Sequence, residues 1–190
     1  MLVRAAVPAP SRPRSLRNGR VGFRPCRRRV NCALCKHNPG PTSAFSCPVT
    51  GTEIEISQTI TCTDVGVYLI LCKKDTGRCA TLHPCYVGET GEGFGSSFAH
   101  RLASHLGTAT NQSQVDTDKP VGRHFRLGGH DDHRDLVMLP IEKIEDTFTR
   151  KAREAYLIKK FKTLKRLAVT EIEHGLNLSR VYFGRLSSFE

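Results

Sequence analysis

Long apolar segments are missing from this sequence of 190 residues. No apolar run approaches the roughly 20 residues that a membrane-spanning helix needs, so we expect no membrane partner. Residues 1–10 also lack the apolar core of a secretory signal. Without such a signal, we expect the eight cysteines to be intracellular thiols or zinc ligands. The alternative is a secreted protein stabilised by disulfides.

Acidic residues and lysine are absent from residues 1–31, which contain nine arginines and four prolines. This composition predicts a disordered tail, because it offers few apolar side chains to bury. Nine of the eleven net positive charges lie in this tail, so the rest of the chain carries only +2. The tail suits a polyanion-binding or nuclear localisation segment, an organelle transit peptide, or a segment without function. We expect a nuclear location, with a mitochondrion or another organelle as the alternative.

Hydrophobic periodicity predicts an α+β domain at residues 63–180, between a cysteine-containing lead-in segment at 32–62 and a C-terminal tail at 181–190. Alternating apolar residues indicate strands, and apolar residues three or four apart indicate helices. The predicted strands are VGVYLILC (65–72), CYVGET (85–90) and DLVMLPIEKI (135–144), and the predicted helices are SSFAHRLASHL (96–106) and RKAREAYLIKKFKTLKRL (150–167).

A set of polar side chains on these elements has a clear chemical use. Tyr68 and Tyr86 come to one face if the first two strands pair, beside the helix that carries Arg101 and His105. A lone carboxylate such as Glu154 can hold one divalent cation that polarises a phosphate, while an arginine supports the developing charge. A phenol, whose pKa is about 10 when free, deprotonates water only if cations lower that pKa. Taken singly, each residue also has a structural explanation, such as packing or a surface ion pair.

The tripeptides GVY (66–68) and YVG (86–88) resemble the two signature tripeptides of the GIY-YIG endonuclease family, each with Val in place of Ile. An arginine, a histidine, a glutamate and the asparagine of GLN then follow in the family's order. More narrowly, TCTDVGVYLILC, YVGETG and KPVGRHFRLGGH resemble the endonuclease domain of Penelope-like retroelements. The resemblance covers about residues 32–178. It implies a small three-stranded antiparallel sheet flanked by helices.

This resemblance implies a role for each residue around the phosphate. Tyr68 and Tyr86 would flank the attacking water, with one of them acting as base or as a relay to the base. Arg101 would bind and stabilise the scissile phosphate. His105 would orient that phosphate or assist proton transfer.

The same resemblance implies a metal ion and a supporting residue. Glu154 would be the sole protein ligand of Mg²⁺ or Mn²⁺, and Asn177 would support the site or the waters of the metal. The implied activity is hydrolysis of one DNA strand, which leaves 3′-hydroxyl and 5′-phosphate ends. The alternative function is a catalytically silent, zinc-stabilised module that binds nucleic acid.

Two groups of cysteines are candidate zinc ligands. The resemblance implies one site made of two cysteines and two histidines, which are Cys72, Cys79, His124 and His130. Cys85 is the alternative to Cys79 in that site. A separate CxxC motif suggests a second site, whose candidate ligands are Cys32, Cys35, Cys47 and Cys62. The alternative for this second group is four free thiols.

Overall fold

The structure is a computed structural model that describes residues 21–26, 32–38, 40–47, 50–91, 96–110, 120–127, 130, 133–165 and 175–178. Nine strands form in these residues: β1 (Gly22–Phe23), β2 (Ala44–Ser46), β3 (Glu53–Glu55), β4 (Thr59–Ile60), β5 (Gly66–Cys72), β6 (Cys85–Glu89), β7 (Leu136–Lys143), β8 (Leu164–Lys165) and β9 (Asn177–Leu178). Five α-helices accompany them: α1 (Ala33–Lys36), α2 (Gly77–Leu82), α3 (Phe98–Thr110), α4 (Pro120–Leu127) and α5 (Thr147–Phe161). The predicted α+β class is confirmed.

The central sheet has three antiparallel strands in the order β6-β5-β7. All three strands lie where the sequence predicted them. Strands β5 and β7 are buried along most of their length. Strand β5 is the middle strand, so its backbone is paired on both sides. In the described part of the chain, no helix is both long and apolar enough to cross a bilayer.

Helices cover both faces of this sheet. One face carries Tyr68, Ile70 and Met138, and it packs against α3, α4 and the N-terminal segment. The other face packs against α5, mainly through Leu157 and Phe161. The sheet therefore separates α3, which carries Arg101, from α5, which carries Glu154.

Short irregular segments precede the sheet. Strand β1 pairs in parallel with β4, and β2 pairs with β3 as an antiparallel hairpin. Phe23 is fully buried in the main core. Residues 21–26 therefore differ from the disordered tail predicted for residues 1–31, because Phe23 supplies apolar surface that the core accepts. Residues 1–20 and the predicted tail at 181–190 lie outside the described residues.

The outer edge of β7 is covered by the chain that follows α1. The backbone N–H of Met138 donates to the carbonyl of His37 (2.9 Å), and the side-chain amide of Asn38 donates to the carbonyl of Met138 (2.9 Å). This segment is not a strand, yet it satisfies backbone groups that an edge strand leaves unpaired.

The helices depart from their predicted bounds. Helix α5 begins earlier than predicted because Asp146 caps it, accepting a hydrogen bond from the backbone N–H of Thr149 (2.6 Å). It ends at Phe161 because Lys162 adopts the left-handed conformation (φ 54°). Helices α2 and α4 were not among the predicted helices. Both are short, with six and eight residues, so their apolar periodicity is weak evidence in the sequence.

Candidate functional site

The two tyrosines of the predicted site lie on one face of the central sheet. Tyr68, in the middle of β5, pairs with Gly88 of β6, and Tyr86 pairs with Ile70. Because side chains alternate along a strand, this register places both phenol rings on the same side. Their ring centroids are 6.5 Å apart. The predicted convergence of the two phenols is present in the fold.

Gly88 allows the Tyr68 ring to lie directly over β6. A Cβ atom at position 88 would lie 2.5 Å from the Tyr68 hydroxyl oxygen and 2.6 Å from Cε1 of Tyr86. Both distances are too short for carbon contacts, and both rings are held by their neighbours. The glycine of the second tripeptide is therefore required by close packing of the two phenols.

Helix α3 brings Arg101 and His105 to the Tyr68 hydroxyl. The two residues are four apart, so they lie one turn from each other on the same side of the helix. Nε of Arg101 donates to the hydroxyl oxygen (3.2 Å), and Nε2 of His105 lies 2.8 Å from the same oxygen. The His105 ring also contacts Tyr86, with 5.7 Å between ring centroids. Phenol, guanidinium and imidazole thus form one cluster.

Burial sets the protonation states in this cluster. Burial first, and the positive charge of Arg101 second, lower the pKa of His105 to about 3. Its imidazole is therefore neutral at neutral pH. Burial raises the pKa of Tyr68 well above its usual value, and Tyr86 adds to this effect. Because the Tyr68 oxygen accepts from Arg101, its own proton can be donated to the neutral imidazole.

Glu154 lies on α5, on the other side of the sheet from α3, beside the edge strand β6. It is only 5% exposed, and its carboxylate accepts a hydrogen bond from the backbone N–H of Glu89. The positive charge of Arg101 lowers the pKa of Glu154, and the charge of Glu154 raises the pKa of Tyr68. The predicted carboxylate is therefore electrostatically coupled to the phenol and the guanidinium.

One oxygen of Glu154 is open. Within the described residues, no group forms a hydrogen bond to its buried Oε2 atom, which we call the open oxygen. Burial first, and the neighbouring charge of Glu89 second, raise the pKa of Glu154 to about 7. A buried carboxylate oxygen without a partner is unfavourable, and carboxylate oxygens are ligands that hard divalent cations accept.

The sequence interpretation missed Glu89 and Arg150, which support Glu154. Nε of Arg150 donates to Oε2 of Glu89 (2.6 Å), and the same carboxylate oxygen accepts from the backbone N–H of Gly91 (2.7 Å). Arg150 lies one turn before Glu154 on α5 and is almost fully buried. The available signal was this spacing of four residues, which places the arginine on the same helix face as the glutamate.

Asn177 supports β6 directly. Its side-chain amide donates to the carbonyl of Val87 (2.7 Å) and accepts from the backbone N–H of Val87 (2.9 Å). The backbone N–H of Leu176 donates to the carbonyl of Cys85 (2.9 Å). Leu176 and Asn177 together therefore hold the backbone of β6 on both sides of Tyr86.

A cleft of about 110 Å³ opens beside the cluster, between α3 and α4. Tyr86, Arg101 and His105 line its inner end, and Thr108 and Val121 line its sides. Tyr86 is half-buried, so its ring is accessible from this cleft, unlike the fully buried ring of Tyr68. Glu154 does not line the cleft.

Cys72, Cys79, His124 and His130 come together as the resemblance implied. Their ligand atoms all lie within 4.8 Å of one another, and Sγ of Cys72 lies 3.0 Å from Nε2 of His130. Burial first, and His130 second, lower the pKa of His124 to about 4, which keeps its imidazole neutral. Cys85 lies in the core on the other face of the sheet, so Cys79 is the second cysteine. This Cys₂His₂ cluster could hold a metal ion such as zinc.

A second cluster differs from the predicted group by one cysteine. Its members are Cys26, Cys32, Cys35 and Cys62, whose sulfurs lie within 4.8 Å of one another. Cys47 was predicted in the place of Cys26, but it packs beside Val67 and Cys85 on the α5 side of the sheet. Cys26 fell within the tail predicted for residues 1–31, whereas the pairing of β1 with β4 brings it to Cys62.

Basic side chains follow α5 on its outer side. Lys159, Lys160 and Lys162 are exposed, and Lys151 and Arg153 are half-buried. The basic run of the sequence continues with Lys165 and Arg166. The structure describes only the backbone of Lys165 and does not describe Arg166. The helix thus presents positive charge on the side away from the core.

Comparison with known proteins gives no match for this chain. No family model matches it, and neither a curated protein nor a solved structure does so. The functional interpretation therefore rests on the geometry of the site and on the resemblance of its motifs.

Proposed function

We propose that this protein is a metal-dependent DNA endonuclease of the GIY-YIG type, related to the endonucleases of Penelope-like retroelements, that nicks one strand at a time. The observation that carries the proposal is the hydrogen-bonded cluster of Tyr68, Arg101 and His105, to which the buried carboxylate of Glu154 is electrostatically coupled. These residues sit on β5, α3 and α5, which are far apart in sequence. Packing alone does not require this set of polar groups at one buried point.

Arg101, Tyr68 and Tyr86 would have different roles in hydrolysis of the phosphodiester. The Nε atom of Arg101 holds Tyr68, and the terminal nitrogens of the same guanidinium would bind the scissile phosphate and stabilise the charge on its oxygens. Tyr86, which lines the cleft, would accept the proton of the attacking water. Tyr68 and neutral His105 would orient the arginine and relay protons. Water would attack phosphorus while Tyr86, ionised to the phenolate by nearby cations, takes its proton. The bond to the 3′ oxygen would break, and that oxygen would take a proton from solvent water.

Glu154 fits a site for one hard cation. Its open oxygen is buried, and burial first, with the charge of Glu89 second, raises the pKa of the carboxyl. A Mg²⁺ or Mn²⁺ ion bound to this oxygen would supply Lewis-acid stabilisation of the phosphate and of the leaving oxygen. Glu89 and Arg150 would hold the carboxylate in place, since Glu89 donates its backbone N–H to Glu154.

The Cys₂His₂ cluster and the basic surface of α5 fit the same proposal. A Zn²⁺ ion in the cluster would join the end of β5 to α2 and to α4, and Val121 of α4 borders the cleft. The lysines of α5 would bind DNA phosphates without regard to sequence, so DNA is the proposed partner, with an affinity that falls as salt rises. The nuclear location expected from the arginine-rich tail, with an organelle as the alternative, stays a prediction.

Nicking of supercoiled plasmid in Mg²⁺ or Mn²⁺ tests the proposal. We expect the wild-type protein to convert supercoiled plasmid to the open circle, and Glu154→Gln to lower the rate at least about a hundredfold. The matched control is Glu145→Gln, because Glu145 is a glutamate close to α5 whose side chain is 79% exposed. Its rate should equal that of the wild type.

The same assay separates the two candidate functions. Arg101→Leu should lose nicking while retaining most of its affinity for DNA, because the α5 lysines are unchanged. If the folded wild-type protein binds DNA but cleaves in neither metal, the nuclease proposal fails and the zinc-stabilised binding module is favoured. Equal loss of activity in the Glu145 and Glu154 variants would also contradict the assignment of Glu154.

A further inference from the structure

Four cysteine sulfurs meet at one point in the N-terminal segment. Cys35 lies 3.6 Å from Cys26 and 3.3 Å from Cys62, measured between Sγ atoms, and the Cys32 sulfur lies within 4.8 Å of all three. Four sulfurs bound to one Zn²⁺ at about 2.3 Å, in a tetrahedron, are separated by roughly 3.8 Å. The cluster therefore has nearly the size of a zinc tetrathiolate.

The spacing argues against pairs of disulfides. A disulfide joins two sulfurs at about 2.05 Å and leaves the other pair apart. Here Cys35 has two sulfur neighbours at similar distances, and all eight cysteines of the chain are thiols. One sulfur shared between two neighbours is the arrangement of ligands around a common centre.

The surrounding backbone also suits thiolate ligands. The backbone N–H of Cys26 points to the sulfur of Cys35, at 3.3 Å. Backbone N–H groups that donate to ligand sulfurs are a regular feature of metal–thiolate sites, because they stabilise the negative charge. Such a bond contributes little to a neutral thiol, which is a weak acceptor.

The secondary structure around the cluster is too short to hold itself together. Cys26 follows a strand of two residues, and Cys62 follows another strand of two residues. Cys35 belongs to a helix of four residues, and Cys32 is the residue just before that helix. Elements of this length have little stability of their own. A cross-link between the three segments would supply what the local elements lack.

We propose that Cys26, Cys32, Cys35 and Cys62 bind one structural Zn²⁺ ion, separate from the Cys₂His₂ cluster. A site with four thiolate ligands and no open position is structural rather than catalytic. It would tie the chain around β1 to the chain that enters β5. This inference does not depend on the nuclease proposal.

The ion would also fix the start of the helix that carries Arg101. The carbonyl of Cys62 accepts from the backbone N–H of Ala99 (3.0 Å), and the carbonyl of Asp64 accepts from the backbone N–H of Phe98 (3.0 Å). These bonds satisfy two N–H groups in the first turn of α3. Such groups have no hydrogen-bond partners within the helix itself. The position of α3 is therefore linked to the cluster through the backbone of Cys62.

Zinc content and thiol reactivity of the full-length protein test this inference. We expect Cys62→Ser to lose one equivalent of zinc per chain relative to the wild type, measured by elemental mass spectrometry. Cys47→Ser is the matched control, because Cys47 and Cys62 are equally buried, each 2% exposed, and Cys47 lies outside both clusters. It should lose none.

Alkylation mapping on the wild-type protein covers the case in which Cys62→Ser does not fold. Cys26, Cys32 and Cys35 are partly exposed, so as free thiols they would react readily with N-ethylmaleimide. With zinc bound, we expect them to be protected at least about tenfold and to lose that protection when a chelator is added. Rapid alkylation in zinc-replete protein, disulfides between these cysteines, or equal zinc content in the Cys62 and Cys47 variants would overturn the proposal.

Discussion

Two ionisable side chains on α5, four residues apart, are buried in opposite ways. Arg150 makes five hydrogen bonds from its guanidinium to acceptors within the protein, so all of its N–H groups are used. Glu154, on the next turn, keeps one oxygen open, and its pKa is raised to about 7. The hydrogen-bonding groups of Arg150 are thus all satisfied and those of Glu154 are not, although both residues are almost fully buried.

The difference separates support from chemistry. A buried charge with every bonding group satisfied holds its neighbours in one geometry and has no capacity left for a ligand. A buried carboxylate with an open oxygen destabilises the protein at neutral pH unless something else binds it. The fold keeps that unfavourable group next to a stable one, which is typical of a functional site.

The largest expected effect comes from replacing Arg150, whose N–H groups are all hydrogen-bonded. Arg150→Met should lower the free energy of unfolding by about 3–5 kcal/mol, because it leaves the Glu89 carboxylate buried without its partner. Arg153→Met is the control: Nε of Arg153 also donates to a glutamate at 2.6 Å, but the two side chains are 36% and 32% exposed rather than 3% and 11%. It should cost less than about 1 kcal/mol. Urea unfolding measures both, and equal losses would contradict the comparison.

The next effect concerns the pH dependence of stability. The pKa of Glu154 is raised in the folded protein, so the folded state binds the proton more tightly than the unfolded state. Its contribution is favourable below about pH 4.5 and is lost as pH rises through about 7. As the pH is raised from 4.5 to 8, the free energy of unfolding of Glu154→Gln should rise by about 3 kcal/mol relative to that of the wild type. A difference that stays constant with pH would show that Glu154 titrates normally.

Metal binding should cancel part of that penalty. At pH 8, 10 mM Mg²⁺ should stabilise the wild-type protein by about 1.4 kcal/mol if the dissociation constant is about 1 mM. Thermal unfolding with and without Mg²⁺ measures the shift. Glu154→Gln should not respond, whereas Glu145→Gln should respond as the wild type does. A response that persists in Glu154→Gln would place the cation elsewhere.

The smallest effect tests the electrostatic interaction between Glu89 and Glu154. The charge of Glu89 raises the pKa of Glu154, so Glu89→Gln should lower that pKa, by less than about one pH unit. A titration of the Glu154 carboxyl carbon by NMR measures the change. An unchanged or higher pKa would mean that burial alone accounts for the shift.

Local patterns predicted the parts of the site that sit on regular elements. Alternation in β5 and β6 placed Tyr68 and Tyr86 on one face, and the spacing of four residues placed Arg101 beside His105. These follow from the periods of strands and helices, which are written in the sequence. The resemblance to a known family supplied the order in which distant residues are combined.

Contacts between irregular segments were not predictable in the same way. Cys26 replaces Cys47 in the second cluster because β1 pairs with β4, and each of these strands has only two residues. No periodic signal exists in segments so short. Arg150 was not among the predicted site residues, because the burial of an arginine depends on a partner, here Glu89, that is 61 residues away.

Asn177 has a consequence beyond the position of Tyr86. Its amide and the backbone of Leu176 occupy hydrogen-bonding groups on the outer side of β6, just as His37 and Asn38 occupy those of β7. Both borders of the central sheet thus form hydrogen bonds with neighbouring segments of the same chain. Because fewer backbone groups of β6 and β7 are left to pair with a strand from another molecule, edge-to-edge association of two such sheets is disfavoured.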